Sequence, residues 1–354
     1  MPFLGLVEQL PLVVTLGDPG GVGPEVAVRA ALETRSEPET ESPRCETLRR
    51  IVFVGSRTVM SETLRMLGLD LRIRTIGSPS EARFEPGAVE LIEAGPPSAR
   101  KSPDAFEKPF EKGRPTPAGG AASYAYIERA VETVMRGEAH ALVTAPISKE
   151  AFKMAGIPYP GHTEMLAALT SADRYAMMLC GGPLRVVLVT IHTALRDVPR
   201  LITRAGVLDT IRLAGEAGRM LGLDAPRIAV AGLNPHAGEA GMFGGEEIEE
   251  IAPAVEDARR EGFNVTGPYP PDTLFYRAVR GEFDMTVCMY HDQGLIPLKM
   301  IAFDTGVNVT VGLPIVRTSP DHGTAYDIAW KGVANPSSMR EAMNMARRLK
   351  PAKT

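Results

Sequence analysis

Six histidines in 354 residues are few, and where they fall says more than how many there are. His192 ends the apolar run RVVLVTI, His236 follows IAVAGLNP, His291 follows MTVCMY and His322 follows NVTVGLPIVRTSPD. His162 lies in the loop sequence PGHTEM, and only His140 falls on a helical pattern. In open α/β sheets ligands bind beyond the carboxyl ends of the strands, so histidines at several strand ends should converge on one crevice. A single histidine is more often a hydrogen-bonded structural residue than a ligand, but three at successive strand ends reverse those odds. Neutral imidazoles of His192, His236 and His291 would hold a divalent ion and leave positions open for a substrate oxygen. Asp292, next to His291, and Asp272, in YPPDTLF, are the carboxylates expected to support those ligands, add to them or relay a proton.

A second set joins Lys299, Asn308 and Arg317 with His162 and Thr163. Lysine and arginine near strand edges supply donors for a phosphate or carboxylate, arginine in bidentate form. Each alone is an ordinary solvated side chain, and the set gains meaning only around the histidine cluster. The segment Gly17 to Glu25 (GDPGGVGPE) follows a strand and opens a helix, with Pro24 and Glu25 in its first turn. It fits neither G-x-G-x-x-G nor the Walker spacing, which leaves a tight turn or a backbone lining of a cleft.

Positioning such residues requires alternating strands and helices. Short β-branched runs at Leu12–Leu16, Ile51–Val54, Ala141–Thr144, Arg185–Ile191, Arg227–Ala231, Met285–Met289 and Asn308–Val311 read as strands. Ala121–Arg136, Leu201–Leu221, Glu246–Glu261 and Ser337–Leu349 carry apolar residues at helical spacing. The fold class is α/β around a mostly parallel sheet. Glu33–Thr47 is acidic and rich in Ser, Thr and Pro, as expected of a solvated excursion, and Pro96–Gly120 reads as an interdomain connection or an active-site loop.

Composition narrows the function classes. The length suggests two domains. A net charge of −4 supplies no global basic field for nucleic acid. Three cysteines without C-x-x-C spacing point to a reducing, cytoplasmic setting and away from thiolate metal clusters. No run of about 18 apolar residues suggests a membrane span.

The motifs GDPGGVGPE, PGHTEML, TIHTALRDVP, GLNPHAGEAGMFGGEE, PPDTLF, YHDQGLIPLK and NVTVGLPIVRTSPDHGTAYDIA together resemble the 4-hydroxythreonine-4-phosphate dehydrogenase (PdxA) family of pyridoxal phosphate biosynthesis. The resemblance implies two α/β domains of the isocitrate/isopropylmalate dehydrogenase-like fold with a cleft between them. Residues 1–145 plus 305–354 are expected in one domain and 146–304 in the other, which binds metal and dimerises. It implies a homodimer whose active site lies at the subunit interface, with His192, His236 and His291 holding one Zn, Mg or Co ion and one of the three coming from the partner. His162, Thr163, Lys299, Asn308 and Arg317 would contact a small phosphorylated substrate. The segment HGTAYDIAWKGVANP resembles the adenosine loop of β-decarboxylating dehydrogenases, which assigns His322, Gly323, Thr324, Ala325, Asp327 and Asn335 to the dinucleotide. Asp327 favours NAD over NADP, and Trp330 stands where that pattern has glycine. The implied reaction is oxidation of 4-phosphooxy-L-threonine to a β-keto acid that loses CO₂ to give 3-amino-2-oxopropyl phosphate. Relatives acting on 4-phospho-D-threonate or a cis-dihydrodiol carboxylate are the near alternatives, and a non-catalytic binding protein the remote one.

Overall fold

The computed structural model describes residues 10–36, 50–95 and 110–351. Residues 37–47 of the acidic segment, Cys45 and residues 96–109 therefore lie outside the described residues. The chain divides into two compact units, Met1–Ser171 with Ile315–Arg348, and Ala172–Pro314 with Leu349–Thr354.

In the first unit the strands are β1 (Leu12–Thr15), β2 (Ile51–Gly55), β3 (Arg72–Ile76), β4 (Ala88–Glu93), β5 (Ala141–Thr144) and β12 (Arg317–Pro320). Their order is β3-β4-β2-β1-β5-β12 and every neighbouring pair is parallel. β1, β2 and β5 are buried along their whole length, as a parallel sheet covered on both faces requires. The helix Pro117–Met135 is capped by the Thr116 side chain, which accepts from the Gly119 amide, and it packs on β1 and β2. The carboxyl ends of the adjacent strands β1, β5 and β12 release the Gly17–Glu25 turn, Thr144 and the segment from Asp321 onward.

The second unit holds β6 (Ala176–Gly181), β7 (Leu184–Leu188), β8 (Ile228–Ala231), β9 (Val265–Tyr269), β10 (Met285–Cys288) and β11 (Val307–Val311), in the order β11-β6-β7-β10-β8-β9. β6 runs antiparallel to both β11 and β7, and the remaining pairs are parallel. Its core gathers Val186, Leu188, Ala229, Leu274, Leu295 and Leu298 from strands and flanking helices. The parallel neighbours β7, β10 and β8 point their carboxyl ends the same way, toward His192, His291 and His236 respectively.

Several expected boundaries move. Residues 146–171 stay with the first unit because the helices Lys149–Met154 and His162–Thr170 pack on Pro117–Met135. β11 joins the second unit because it pairs with β6 from Val307↔Cys180 to Val311↔Ala176. The first helix continues through Ser36, and Glu33 on it meets Arg340 at 3.0 Å, so the solvated excursion starts later than Glu33. His140 sits in the turn before β5 rather than on a helix, with Nε2 3.0 Å from the Ala346 carbonyl. Among the described residues no helix is long and apolar enough to cross a membrane, and Cys180 and Cys288 are buried.

Candidate active site

In the second unit, two strand ends are tied before either histidine is reached. The amides of Val189 and Thr190 donate to the carbonyls of Cys288 and Met289, and the Thr190 hydroxyl donates to Met289 O at 2.7 Å. Buried Gln293 then links β10 to β8: its Oε1 accepts from the Met289 amide at 2.6 Å and its Nε2 donates to Gly232 O at 2.7 Å. This lacing brings the rings of His192 and His291 to a centroid separation of 6.0 Å. Two imidazoles bound to one ion at a tetrahedral angle lie about 5 Å apart by ring centroid, so the pair fits a shared divalent ion to within about an ångström. Asp292 Oδ1 lies 2.7 Å from His291 Nδ1, which favours the tautomer whose Nε2 lone pair is available to a ligand.

His236 is placed differently. It opens a turn in which His236, Ala237, Gly238, Glu239 and Ala240 all have positive φ, from 42° to 81°. Four of the five carry a Cβ, at a cost of about 1–2 kcal/mol each. The imidazole is exposed, with Nδ1 3.1 Å from Glu239 Oε2. Among the described residues no group of three or more His, Cys, Asp or Glu is spaced to hold an ion. The structure therefore brings together two of the three expected ligands. Asp272 is exposed in the first turn of Pro271–Val279, a helix that packs on the His236 turn. Lys299 Nζ lies 5.8 Å over the Phe303 ring, and the Oδ1 of Asn308 is buried without a partner among the described residues.

In the first unit Arg317 is the largest fully buried side chain, 1% exposed. Its Nε and Nη2 donate to Thr144 Oγ1 at 3.2 and 2.6 Å. Burial pulls its pKa down to about 9, which leaves it cationic at neutral pH. His162 opens the helix His162–Thr170 after Gly161, with Thr163 buried beside it. Burial first, and the Arg317 cation second, hold the His162 imidazole well below its usual range, so it is neutral, and its buried Nε2 has no partner among the described residues. A neutral imidazole near a buried guanidinium has the donor chemistry to receive an oxyanion.

The segment from His322 onward is stitched to the Gly17–Glu25 turn. Val22 donates to Thr324 O at 2.9 Å, Ala334 to Glu25 Oε1 at 2.8 Å, and Arg29 Nη1 to Ala334 O at 2.7 Å. The Tyr326 hydroxyl donates to Asp18 Oδ2 at 2.7 Å, while Oδ1 accepts from the Gly20 amide at 2.8 Å. Burial raises the Asp18 pKa against those two hydrogen bonds. A Cβ on Gly21 would lie 2.9 Å from Thr324, so the close approach requires glycine there. The Gly-rich turn thus holds a loop rather than a phosphate. Trp330 has a φ of 63°, the conformation a glycine takes without strain. It is held by Nε1 donation to Pro19 O at 2.9 Å, stacking on Phe110 at 5.4 Å and Lys112 Nζ 4.1 Å above its ring. Residues 110–113 of the expected connection or active-site loop accordingly lie against this segment, with Gly113 N donating to Gly20 O. His322 keeps a buried Nε2 without a partner among the described residues, Gly323 is exposed, and Ala325 has a φ of 39°. Asp327 is exposed and Asn335 Oδ1 accepts from the Ser337 amide.

Motif reading passed over Thr144, Asp18, Tyr326, Gln293 and Glu247. The one signal for them was position, since each lies within or just after a segment already singled out.

These features define an α/β protein whose fold is similar to that of a β-decarboxylating dehydrogenase from Thermococcus kodakarensis, with a TM-score of 0.51 at 18% identity over 96% of this chain and 83% of that one. The chain belongs to the PdxA family: the profile described as "Pyridoxal phosphate biosynthetic protein PdxA" matches residues 46–346. It is 48% identical over 339 residues to a 4-hydroxythreonine-4-phosphate dehydrogenase of Desulfosudis oleivorans, covering 95% of each chain. It is 42% identical to a D-threonate 4-phosphate dehydrogenase of Salmonella typhimurium, over 97% of this chain and all of that one (100%). The crystal structure of a 4-hydroxythreonine-4-phosphate dehydrogenase from Klebsiella pneumoniae superposes with a TM-score of 0.80 at 40% identity, covering 95% and 98% of the two chains.

Proposed function

We propose that this dehydrogenase oxidises the C3 hydroxyl of 4-phosphooxy-L-threonine with NAD, and that the β-keto acid formed loses CO₂ to give 3-amino-2-oxopropyl phosphate. The observation that carries the reading is the His192–His291 pair at 6.0 Å, each ring delivered from the carboxyl end of a parallel strand. A divalent ion on these rings and His236 would supply Lewis acidity toward the hydroxyl and the new carbonyl, and NAD would accept the hydride.

The chain's own groups do the rest. Asp292 holds the Nδ1 proton of His291 and leaves Nε2 as the ligand atom. Arg317 and Lys299 receive the phosphate dianion, Arg317 already oriented by Thr144. Neutral His162, with Thr163 and Asn308, orients the substrate by hydrogen bonds that a protonated imidazole could not accept. Asp272 is the carboxylate assigned to proton relay. Tyr326 and Asp18 fix the loop carrying His322, Gly323, Thr324, Ala325, Asp327 and Asn335 for the dinucleotide, and exposed Asp327 suits a free ribose 2′-hydroxyl, with NADP as the alternative.

Most of the exposed large apolar side chains lie in the second unit, among them Leu195 at 68%, Met242 at 74%, Met300 at 81% and Phe303 at 74%. Such a surface supports a homodimer, with one His ligand contributed across the interface. The relative acting on D-threonate 4-phosphate supports a second reading with the same chemistry on a different phosphorylated hydroxy acid.

The test is turnover of 4-phosphooxy-L-threonine and 4-phospho-D-threonate with NAD and NADP, after chelation and after restoring Zn²⁺, Mg²⁺ or Co²⁺. NADH formation on the L-threonine derivative only with metal restored is the expected result. Full activity in chelator overturns the metal assignment, and preference for the D-threonate overturns the substrate. Arg317→Lys, which keeps the charge and loses the fork, should raise KM at least about tenfold.

A further inference from the structure

We propose that Glu247 is a positioning residue for metal binding, acting through the left-handed turn that presents His236. The inference rests on the metal reading above and adds a residue that the reading does not use.

Glu247 is 3% exposed, yet it lies only three residues beyond a glycine-rich surface turn. Its Oε1 accepts from the amides of Leu233 and Asn234, both at 2.7 Å, and its Oε2 accepts from Asn234 Nδ2 at 3.0 Å. The same Nδ2 donates to Glu246 Oε2 at 2.7 Å. Asn234 is the residue before Pro235 and His236, and its carbonyl accepts from the Ala237 amide. One buried carboxylate therefore grips the entry to the turn at three donors.

The exit is held by shape. A Cβ on Gly238 would come 2.7 Å from Glu247 Oε2, a Cβ on Gly232 would come 3.0 Å from Oε1, and a Cβ on Gly244 would meet Asn234 Nδ2 at 2.4 Å. The backbone closes on the carboxylate from both sides because Gly232 and Gly238 lack side chains, and Gly244 leaves room for Asn234 in the same way. Glu247 itself begins the π-helical turn Glu247–Ile251, a widened geometry that aims its side chain back at the strand end. A run of positive φ at His236, Ala237, Glu239 and Ala240 does not hold itself, since each residue has a lower-energy conformation nearby. The Glu247 hydrogen bonds and the three glycine contacts are what over-determine it, and the reward is an imidazole held outward in one direction.

The test measures metal affinity rather than turnover. The full-length enzyme is stripped with chelator and titrated with Zn²⁺ by calorimetry, for wild type, Glu247→Ala, His236→Ala and the double variant, with thermal melts on each. Loss of a supporting group around a metal ligand costs 10–100-fold in affinity, so Glu247→Ala should weaken Zn²⁺ binding about 10–100-fold. On the His236→Ala background the same change should have no further effect, because the ligand it positions is gone. Glu247→Gln, whose carbonyl can still accept the two amides, should recover most of the affinity. If Glu247→Ala does not fold, Gly238→Ala replaces it in the cycle, since its Cβ displaces the carboxylate without removing it. Unchanged affinity in a folded variant, or an equal loss with and without His236, overturns the proposal while leaving the metal reading intact. Unchanged affinity in His236→Ala overturns both.

Discussion

Acid should destabilise this protein through one imidazole, that of His162. In the folded chain burial and the Arg317 cation hold His162 well below its usual range, whereas the unfolded chain titrates it near 6.5. Between those two values the unfolded state binds the extra proton, so stability rises with pH. The contribution is complete above about pH 6.5 and is lost as the pH falls below it. One proton sets a slope of about 1.4 kcal/mol per pH unit, so descending from about pH 6.5 to about 5 removes at most about 2 kcal/mol. Asp18 and Glu93 work in the opposite sense. Burial raises both carboxylates above their ordinary value, so their contributions are full below about pH 4 and decline as the pH rises through the folded value. The wild-type curve also carries Asp257, Glu261, Glu282 and Asp284, which hydrogen bonds from arginine hold below the usual carboxylate value, so subtracting a His162→Gln variant isolates the imidazole. Urea midpoints taken in small pH steps should show the wild type losing up to about 2 kcal/mol relative to the variant between about pH 6.5 and 5. A flat difference, or one of opposite sign, would refute a neutral His162 beside a buried guanidinium.

Two further substitutions probe other parts of the frame. Tyr326→Phe leaves Asp18 with a single donor, a loss of about 1.5–3 kcal/mol for a bond to a charged group, and should raise KM for the dinucleotide more than it lowers kcat; equal KM in steady-state kinetics would detach the loop from cofactor binding. Gly120→Ala sets a Cβ 2.2 Å from the Ala151 carbonyl, between the helix Pro117–Met135 and its neighbour Lys149–Met154. Overpacking of this kind costs about 1–3 kcal/mol, and a thermal melt matching wild type would show that these helices part without penalty.

All seven expected strands formed, because strands buried on both faces of a sheet read as nearly unbroken runs of β-branched residues. The five that escaped lack that signature for different reasons. β3 (RIRTI) is half exposed, so its charges hide it. β6 (AMMLCG) is largely buried but has no β-branched or aromatic residue to mark it as a strand. β9 contains Gly267 and Pro268, which read as a turn, and β12 (RTSP) is polar although all four of its residues are buried. β4 (AVELIE) is interrupted by Glu90, a carboxylate at 1% exposure that accepts from the amides of Arg83 and Phe84.

Glu90 shows why the candidate site was only half legible. Histidines at strand ends can be read from sequence, because the strand is recognised and the next polar residue is counted. The four buried carboxylates of the described residues, Asp18, Glu25, Glu90 and Glu247, each accept from a backbone amide: those of Gly20, Ala334, Arg83 and Leu233. A backbone amide has no residue identity, so no spacing of side-chain types announces such a pair. Gln293 belongs to the same class, spanning two strand ends through the Met289 amide and the Gly232 carbonyl. The groups that would bind metal and anion are thus the visible part of the site. The groups that aim them bond to main chain, and only the folded geometry reveals them. This also explains the separation of His236 from His192 and His291. Neighbouring parallel strands bring all three histidines to the same end of the sheet, but the left-handed turn after β8, held by Glu247, sets where the third imidazole points.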